Sequence, residues 1–226
     1  MKNLYIVGAG GFGREVAWLV ERINEKEKTW NLKGFIDDNI ELQETTEGGY
    51  PVVGSCDYLT SIDEMVWVVC AVGNAKVRKK IIEKLEQFSN ISFATLVDPA
   101  VISSKRVDIG EGSIICAGTI LTVDILVGKH VIINLNCTIG HNDIIDNFVT
   151  VYPGVHISGN VKVGECTELG TGMQIIQGKK IGCRSIMGAG AVVIKDVPDD
   201  CTAVGNPAKI IKYNNMCPES MLFGNN

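Results

Sequence analysis

The sequence predicts two parts in series: an α/β, Rossmann-like N-terminal unit, and behind it a parallel β-helix built from hexapeptide repeats. Three observations carry this reading. The first is a period of six. From Ile109 the series Ile115, Leu121, Val127, Ile133, Ile139, Ile145, Val151, Ile157, Val163, Leu169, Ile175, Ile181, Met187 and Val193 is apolar at every step. Six matches neither the helical 3.6 nor the strand 2, but it matches a short strand plus a tight turn, with three such units closing a triangular coil. The second is Gly8-Ala9-Gly10-Gly11-Phe12-Gly13, a G-x-G-x-x-G run placed between an apolar strand and a helical pattern. The third is the alternation of strand and helix patterns over the first hundred residues, which predicts a small parallel sheet with helices on its faces.

Taken in order, Lys2 to Val7 is the first strand. Glu15, Val16, Trp18, Leu19, Val20 and Ile23 give the following helix an apolar face, which ends at the charged surface turn Glu25-Lys26-Glu27-Lys28. Leu32 to Ile36 reads as a second strand closed by Asp37-Asp38, and Glu41 to Gly49 as a loop. Pro51 to Glu64 reads as an irregular crossover. Trp67 to Val72 is a third strand ending at Gly73-Asn74, Ala75 to Gln87 a second helix, and Ile91 to Val97 a fourth strand stopped by Asp98-Pro99. The β-helix starts irregularly over Ala100 to Val107 and runs in register from Ile109. Proline and charge break it at Lys195-Asp196-Val197-Pro198-Asp199-Asp200. An extended piece, Cys201 to Tyr213, follows. The expected division is 1–98 for the α/β unit, 99–213 for the β-helix and 214–226 for a tail without pattern. Glycine and asparagine are expected at the turn positions that need positive φ, the glycines directly behind the anchors (Gly110, Gly128, Gly140) among them.

A formal charge of −5 argues against broad nucleic-acid binding. Eight cysteines without a Cys-x-x-Cys pair read as small core residues in a reducing compartment, not as a disulfide frame or a zinc site. The start of the sequence does not look like a signal peptide, and no apolar run reaches the length of a membrane span. The expectation is a cytoplasmic protein without membrane insertion and without a metal.

Three stretches can carry chemistry. The glycine loop would turn backbone N–H groups and a helix N-terminus toward a phosphate, with Asp37 and Asp38 placed for a ribose or base; the bland alternative is a tight turn that binds nothing. Among three histidines, His141 follows Gly140 at a coil corner, where packing gives no reason for an imidazole, and it is the candidate general base. His130 and His156 read as ordinary structural or surface residues. One coil of three hexads beyond His141 stands Gly159, whose N–H would lie accessible beside the base and could hold an oxyanion; a plain Gly159-Asn160 turn is the equal alternative.

From Tyr5-Ile6-Val7-Gly8 to Gly205-Asn206-Pro207-Ala208-Lys209 the chain resembles the bacterial hexapeptide-repeat sugar acyltransferases, which include nucleotide-amino-sugar N-acetyltransferases and sialic acid O-acetyltransferases. The resemblance implies a left-handed coil, a homotrimer, and acetyl-CoA lying in the groove between neighbouring prisms. It puts the catalytic base on His141 with Asn142 beside it. Acetyl-CoA contacts fall on Thr150, Gly159, Thr171, Gly172 and Ala189, with Lys209 near the adenine end. Nucleotide-sugar contacts fall on Gly10, Gly11, Phe12, Asp37, Asp38, Gly73 and Asn74. The family usually has Glu or Asp after the base. Here Asn142 can orient the imidazole without adding charge, and Asp143 is the nearest alternative carrier of a negative charge. The expected activity is acetyl transfer from acetyl-CoA to a sugar, with the 4-amino group of a nucleotide-linked sugar favoured. A sialic-acid-like hydroxyl, an NAD-linked oxidoreductase and a non-catalytic trimerisation stalk are the competing readings.

Overall fold

A computed structural model describes residues 1–214; of the stretch read as a tail, all but Asn214 lies outside the described residues. The N-terminal unit contains β1 (Lys2–Val7), α1 (Gly11–Lys26), β2 (Trp30–Ile36), β3 (Thr46–Glu47), β4 (Tyr50–Gly54), α2 (Cys56–Thr60), β5 (Val66–Cys70), α3 (Ala75–Leu85) and β6 (Ile91–Phe93). Its sheet has the order β3-β4-β2-β1-β5-β6, parallel throughout except for β3, which pairs antiparallel with β4. β1 is therefore central, and its Leu4, Ile6 and Val7 are buried from both sides, as a parallel strand covered on both faces must be. The supposed irregular crossover contains a real strand and a short helix. β4 takes Pro51 because it borders only β2 and the two-residue β3, and Ser55 caps α2 through a bond from Asp57 N. Trp18, expected on the apolar face of α1, is half exposed, with the Arg22 guanidinium over its ring at 5.1 Å.

The stretch Ile91 to Val97 is two strands, not one. Ile91–Phe93 closes the first sheet, whereas Leu96–Val97 pairs with Ile114–Ile115 and is the first rung of the β-helix. From there the chain winds a left-handed parallel β-helix with three faces. The first face stacks Leu96–Val97, Ile114–Ile115, Ile132–Ile133, Thr150–Val151, Glu168–Leu169 and Ile186–Met187; the second starts at Ile102–Ser103 and the third at Val107–Ile109. Partners across adjacent rungs are eighteen positions apart, as in Thr138↔His156 and Ile144↔Lys162. Every anchor from Ile115 to Val193 is at most 4% exposed, so the period of six is the packing period of the core.

The turns use two residues for two different purposes. Positive φ recurs three places after each anchor, from Gly112 and Gly118 through Asp124, His130, Asn136 and Asn142 to Gly190. The glycines directly behind the anchors are not in this series, contrary to the expectation. They are needed for close approach between coils: a Cβ on Gly140 would lie 2.5 Å from the backbone nitrogen of Gly159. The charged segment at 195–200 remains docked on the third face through the Ile181↔Val197 bridge, and the final extended piece is an antiparallel hairpin, Cys201–Val204 with Lys209–Tyr213, that prolongs the first face.

The N-terminal unit rests on the first face. Ile114, Cys116 and Ile132 share its core cluster with Leu4, Ile6 and Val16, while Phe148 and Cys166 pack with Tyr5 and Val68. Arg22 adds a two-pronged bond to the buried Asp98, at 2.6 and 3.0 Å. Burial pushes the Asp98 carboxyl up, and the Arg22 bond and charge outweigh it, leaving the group below the usual carboxylate range.

Candidate active site

His141 sits in the turn between the second-face strand Thr138–Ile139 and the third-face strand Ile144–Ile145. Its side chain is exposed, and Nδ1 lies 3.0 Å from Asn142 Oδ1. An amide oxygen only accepts, so this contact calls for a proton on Nδ1, and in the neutral imidazole Nε2 is then the nitrogen with the lone pair. Asn142 reaches this geometry because its φ of 64° is one that asparagine tolerates better than most side chains. Gly159 does stand one coil away, and Asn160 N donates to His141 O at 2.8 Å. Gly159 is buried under the ring, not openly accessible as expected: a Cβ there would lie 2.5 Å from Nε2 and Cε1. Glycine makes the room the imidazole occupies. No acceptor for the Gly159 N–H is found among the described residues.

Asp143 differs from the expectation. It occupies an inward corner position that other coils fill with Val149, Val161 or Ser113, and it is completely buried. Its carboxyl accepts from Gly140 N at 2.9 Å and Val161 N at 2.8 Å and does not bond the imidazole. Desolvation pushes it up to about 7, against the two backbone bonds and the nearby His141, which pull it down. It pins the turn that carries His141 to the next coil from inside.

The other candidate residues lie elsewhere. Thr171, Gly172 and Ala189 are exposed at the corner between the first and second faces, with Gly190 N bonded to Thr171 O. Lys209 is exposed at the start of the last strand, and its neighbour Ala208 bonds Val192 O. Thr150 is not at a ligand surface: it is buried, donating to Gly73 O at 2.7 Å and accepting from Arg78 at 2.9 Å. With its proton and a lone pair committed inside the chain, its hydroxyl does not face an acetyl-CoA groove.

At the carboxyl edge of β1, β2 and β5 a crevice of about 190 Å³ is lined by Gly8, Asp37, Asp38, Cys56, Val72, Val77 and Ile81, among others. Such an edge is where open α/β sheets take ligands. Gly10 and Gly11 open onto free space at the start of α1, whereas a Cβ on Gly13 would collide with Gly8 O at 1.9 Å. The loop therefore splits its glycines between an open cradle (Gly10, Gly11) and helix-to-strand contact (Gly13). Asp37 accepts from Ala9 N and Asn39 N, so both its oxygens shape the loop; the Asp38 carboxylate accepts from Cys56 N and lies against the Cys56 thiol. Asn74 caps α3 through Val77 N. Cys56, Val77 and Ile81 were missed in the sequence because they reach the crevice from helices whose apolar spacing signals only packing. Among the described residues no cluster of three or more His, Cys, Asp or Glu is placed to hold a metal, and no helix is long and apolar enough to cross a membrane.

The crevice and His141 are not brought together within one chain. The N-terminal unit covers the first face, and His141 stands at the corner between the other two.

Residues 3–85 match the family model described as the PglD N-terminal domain. The chain is 29% identical over 217 residues to the GDP-perosamine N-acetyltransferase of Escherichia coli O157:H7, covering 93% of this chain and 97% of that one. Its structure is similar to that of the acetyltransferase domain of PglB from Neisseria gonorrhoeae FA1090 in complex with acetyl coenzyme A, with a TM-score of 0.86, 33% identity and coverage of 93% and 99%. It is also similar to PerB from Caulobacter crescentus in complex with CoA and GDP-perosamine, with a TM-score of 0.79, 28% identity and coverage of 94% and 98%.

Proposed function

The chain belongs to the hexapeptide-repeat sugar acetyltransferases, and from that premise we propose that it transfers the acetyl group of acetyl-CoA to an amine of a nucleotide-linked amino sugar. The observation that carries the reading is the His141–Asn142 pair on an exposed corner, set against a crevice at the carboxyl edge of the sheet in the N-terminal unit. Relatives that act on GDP-perosamine or hold it with CoA support the choice of acceptor class.

His141 Nε2 takes a proton from the acceptor amine as its nitrogen attacks the thioester carbonyl. The Gly159 N–H, which lacks a protein acceptor among the described residues, meets the oxygen as it gains charge. The tetrahedral intermediate collapses by breaking the C–S bond, and the leaving thiolate takes the proton back from the imidazolium. Asn142 holds the tautomer throughout. Gly10, Gly11 and Phe12 offer N–H groups to the diphosphate, and Asp38, on the crevice wall, meets the nucleoside, with Asp37 acting through the loop it shapes. Gly73 and Asn74 close the same edge. Thr171, Gly172, Ala189 and Lys209 line the path of acetyl-CoA.

The active assembly is a homotrimer. The base lies on the corner away from the acceptor-binding unit, so the acceptor held by one chain meets the His141 of another, and three equivalent pairings close around one axis. Acetyl-CoA then lies between the His141 corner of one chain and the Thr171–Ala189 corner of its neighbour.

Thiol release from acetyl-CoA, measured with a panel of UDP-, dTDP-, GDP- and CMP-linked 4-amino sugars, tests the proposal. Turnover is expected with at least one of them and none with the corresponding free sugars. Turnover only with a free sugar acid, or tight NAD(H) binding without acetyl-CoA binding, would overturn it.

A further inference from the structure

Arg78 is fully buried, yet none of its hydrogen bonds goes to a carboxylate. It sits one turn into α3, on a stretch where Lys76, Lys79 and Lys80 read as a solvated surface. Nε donates to His130 O at 2.9 Å, Nη1 to Val72 O at 2.6 Å and Gly73 O at 3.1 Å, and Nη2 to Phe148 O at 2.8 Å, Val149 O at 3.2 Å and Thr150 Oγ1 at 2.9 Å. One side of the fork therefore holds the end of the Val72–Gly73 turn, and the other holds two adjacent coils of the prism. Lysine, with three donors on one atom, could not span them.

The prism is built to meet this fork. The outward column of its first face reads Ile114, Ile132, Thr150, Glu168, Ile186 in register. The first two pack beneath the N-terminal unit, and the column turns polar where it reaches the Gly73–Asn74 turn. Thr150 donates to Gly73 O, and Glu168 accepts from Ala75 N at 3.1 Å and from the Tyr152 hydroxyl at 3.2 Å. The Glu168 carboxylate thus fills the N-terminus of α3, leaving the start of α1 as the cradle for a diphosphate.

We propose that Arg78, with Thr150 and Glu168, forms a positioning clamp that locks the Gly73–Asn74 turn to the prism and so fixes where the acceptor-binding edge stands relative to the point of acetyl transfer. This rests on the reaction proposed above. Arg78 does not touch substrate; it acts through the turn.

The test reads nucleotide and acetyl-CoA separately. Thr150→Val keeps the β-branched shape, so the fold survives even if Arg78→Lys does not assemble. For Thr150→Val the KM for the nucleotide sugar, and the Kd for UDP or GDP by calorimetry, should weaken on the order of tenfold, the lower end of what the two hydrogen bonds lost at a buried joint are worth, with the KM for acetyl-CoA within about twofold of wild type. Thr150→Ser should restore the nucleotide values. An unchanged nucleotide Kd in folded Thr150→Val, or a shift confined to acetyl-CoA, would overturn the clamp and return Thr150 to the acetyl-CoA groove. The calorimetry needs no turnover, so a wild type that binds nucleotide without transferring acetyl would sink the proposed reaction alone, and the Kd comparison would still decide the clamp.

Discussion

His130 and His141 occupy two turns of the same prism coil, one at the corner facing α3 and one at the open corner. At the first, the imidazole is 1% exposed, stacks on Phe148 at 5.3 Å and meets Phe93 edge-on at 4.8 Å. Neither of its nitrogens has a hydrogen-bond partner among the described residues, and Glu86 stands 3.9 Å from Nε2. Burial, with Arg78 and Lys129 nearby, pushes it down to about 4. At the second, the imidazole is exposed and its Nδ1 is held by Asn142. They are not equivalent in the repeat: His130 takes the positive-φ place three after its anchor, and His141 stands one place before Asn142, which takes it in that turn. What covers the corner decides whether the ring is sealed into packing or left open to solvent.

The sharpest way to break this contrast is to remove each ring. His141→Ala should lower kcat on the order of 10²- to 10⁴-fold, the usual contribution of a positioned base, with acetyl-CoA binding nearly intact. Wild-type turnover in that variant would end the assignment. Gly159→Ala should cost about tenfold or more in kcat/KM, because its Cβ would displace the imidazole from its seat. His130→Phe should leave kcat within about twofold, since an apolar ring suits that aromatic stack.

A smaller effect concerns the neighbour of the base. Asn142→Asp puts a charge beside Nδ1 and favours the imidazolium, so the acidic limb of the kcat/KM profile should move to higher pH while activity persists. A profile that stays in place would mean that Asn142 does not set the proton affinity of the base.

The smallest effects are in stability, and their signs are opposite. Asp143 is raised to about 7 in the fold, so the native state binds the extra proton and stability falls as pH climbs from about 4 to about 7. His130 is lowered to about 4, so the unfolded state binds the extra proton and stability rises with pH from about 4 to about 6.5. In the wild type the two slopes oppose each other. Thermal unfolding of His130→Phe between pH 4.5 and 6.5 should show stability falling with pH, and that of Asp143→Asn should show it rising. Parallel slopes in the two variants would contradict the assigned environments.

The prism was legible because its inward positions answer to one requirement, burial, at one period. His141 stands out in the sequence for the opposite reason: packing does not ask for a histidine at that corner. Turn chemistry was only half readable, since a glycine that avoids a collision and a glycine that takes positive φ look alike in sequence; Gly140 and Gly172 separate only in space. Asp143 looked like a partner for the imidazole because of its position in the chain, but the coil turns it inward. Arg78 and Thr150 were not legible as a pair. Their contact joins α3 to the prism across a long sequence separation, and Arg78 sits among lysines of which Lys76 and Lys80 are exposed.

The central claim is that the acceptor edge of one chain works with the His141 corner of another. Mixing His141→Ala chains with Gly11→Asp chains tests it directly. Gly11 opens onto free space at the start of α1, so an aspartate there fills the diphosphate cradle with negative charge while suiting the helix N-terminus. Each variant alone should be inactive. After subunit exchange at equal amounts, about a quarter of the sites in a cyclic trimer would pair an intact acceptor edge with an intact base, and acetyl transfer should return to about that fraction of wild type. A mixture as inactive as its parents, with exchange confirmed, would place the whole site within one chain and contradict the account.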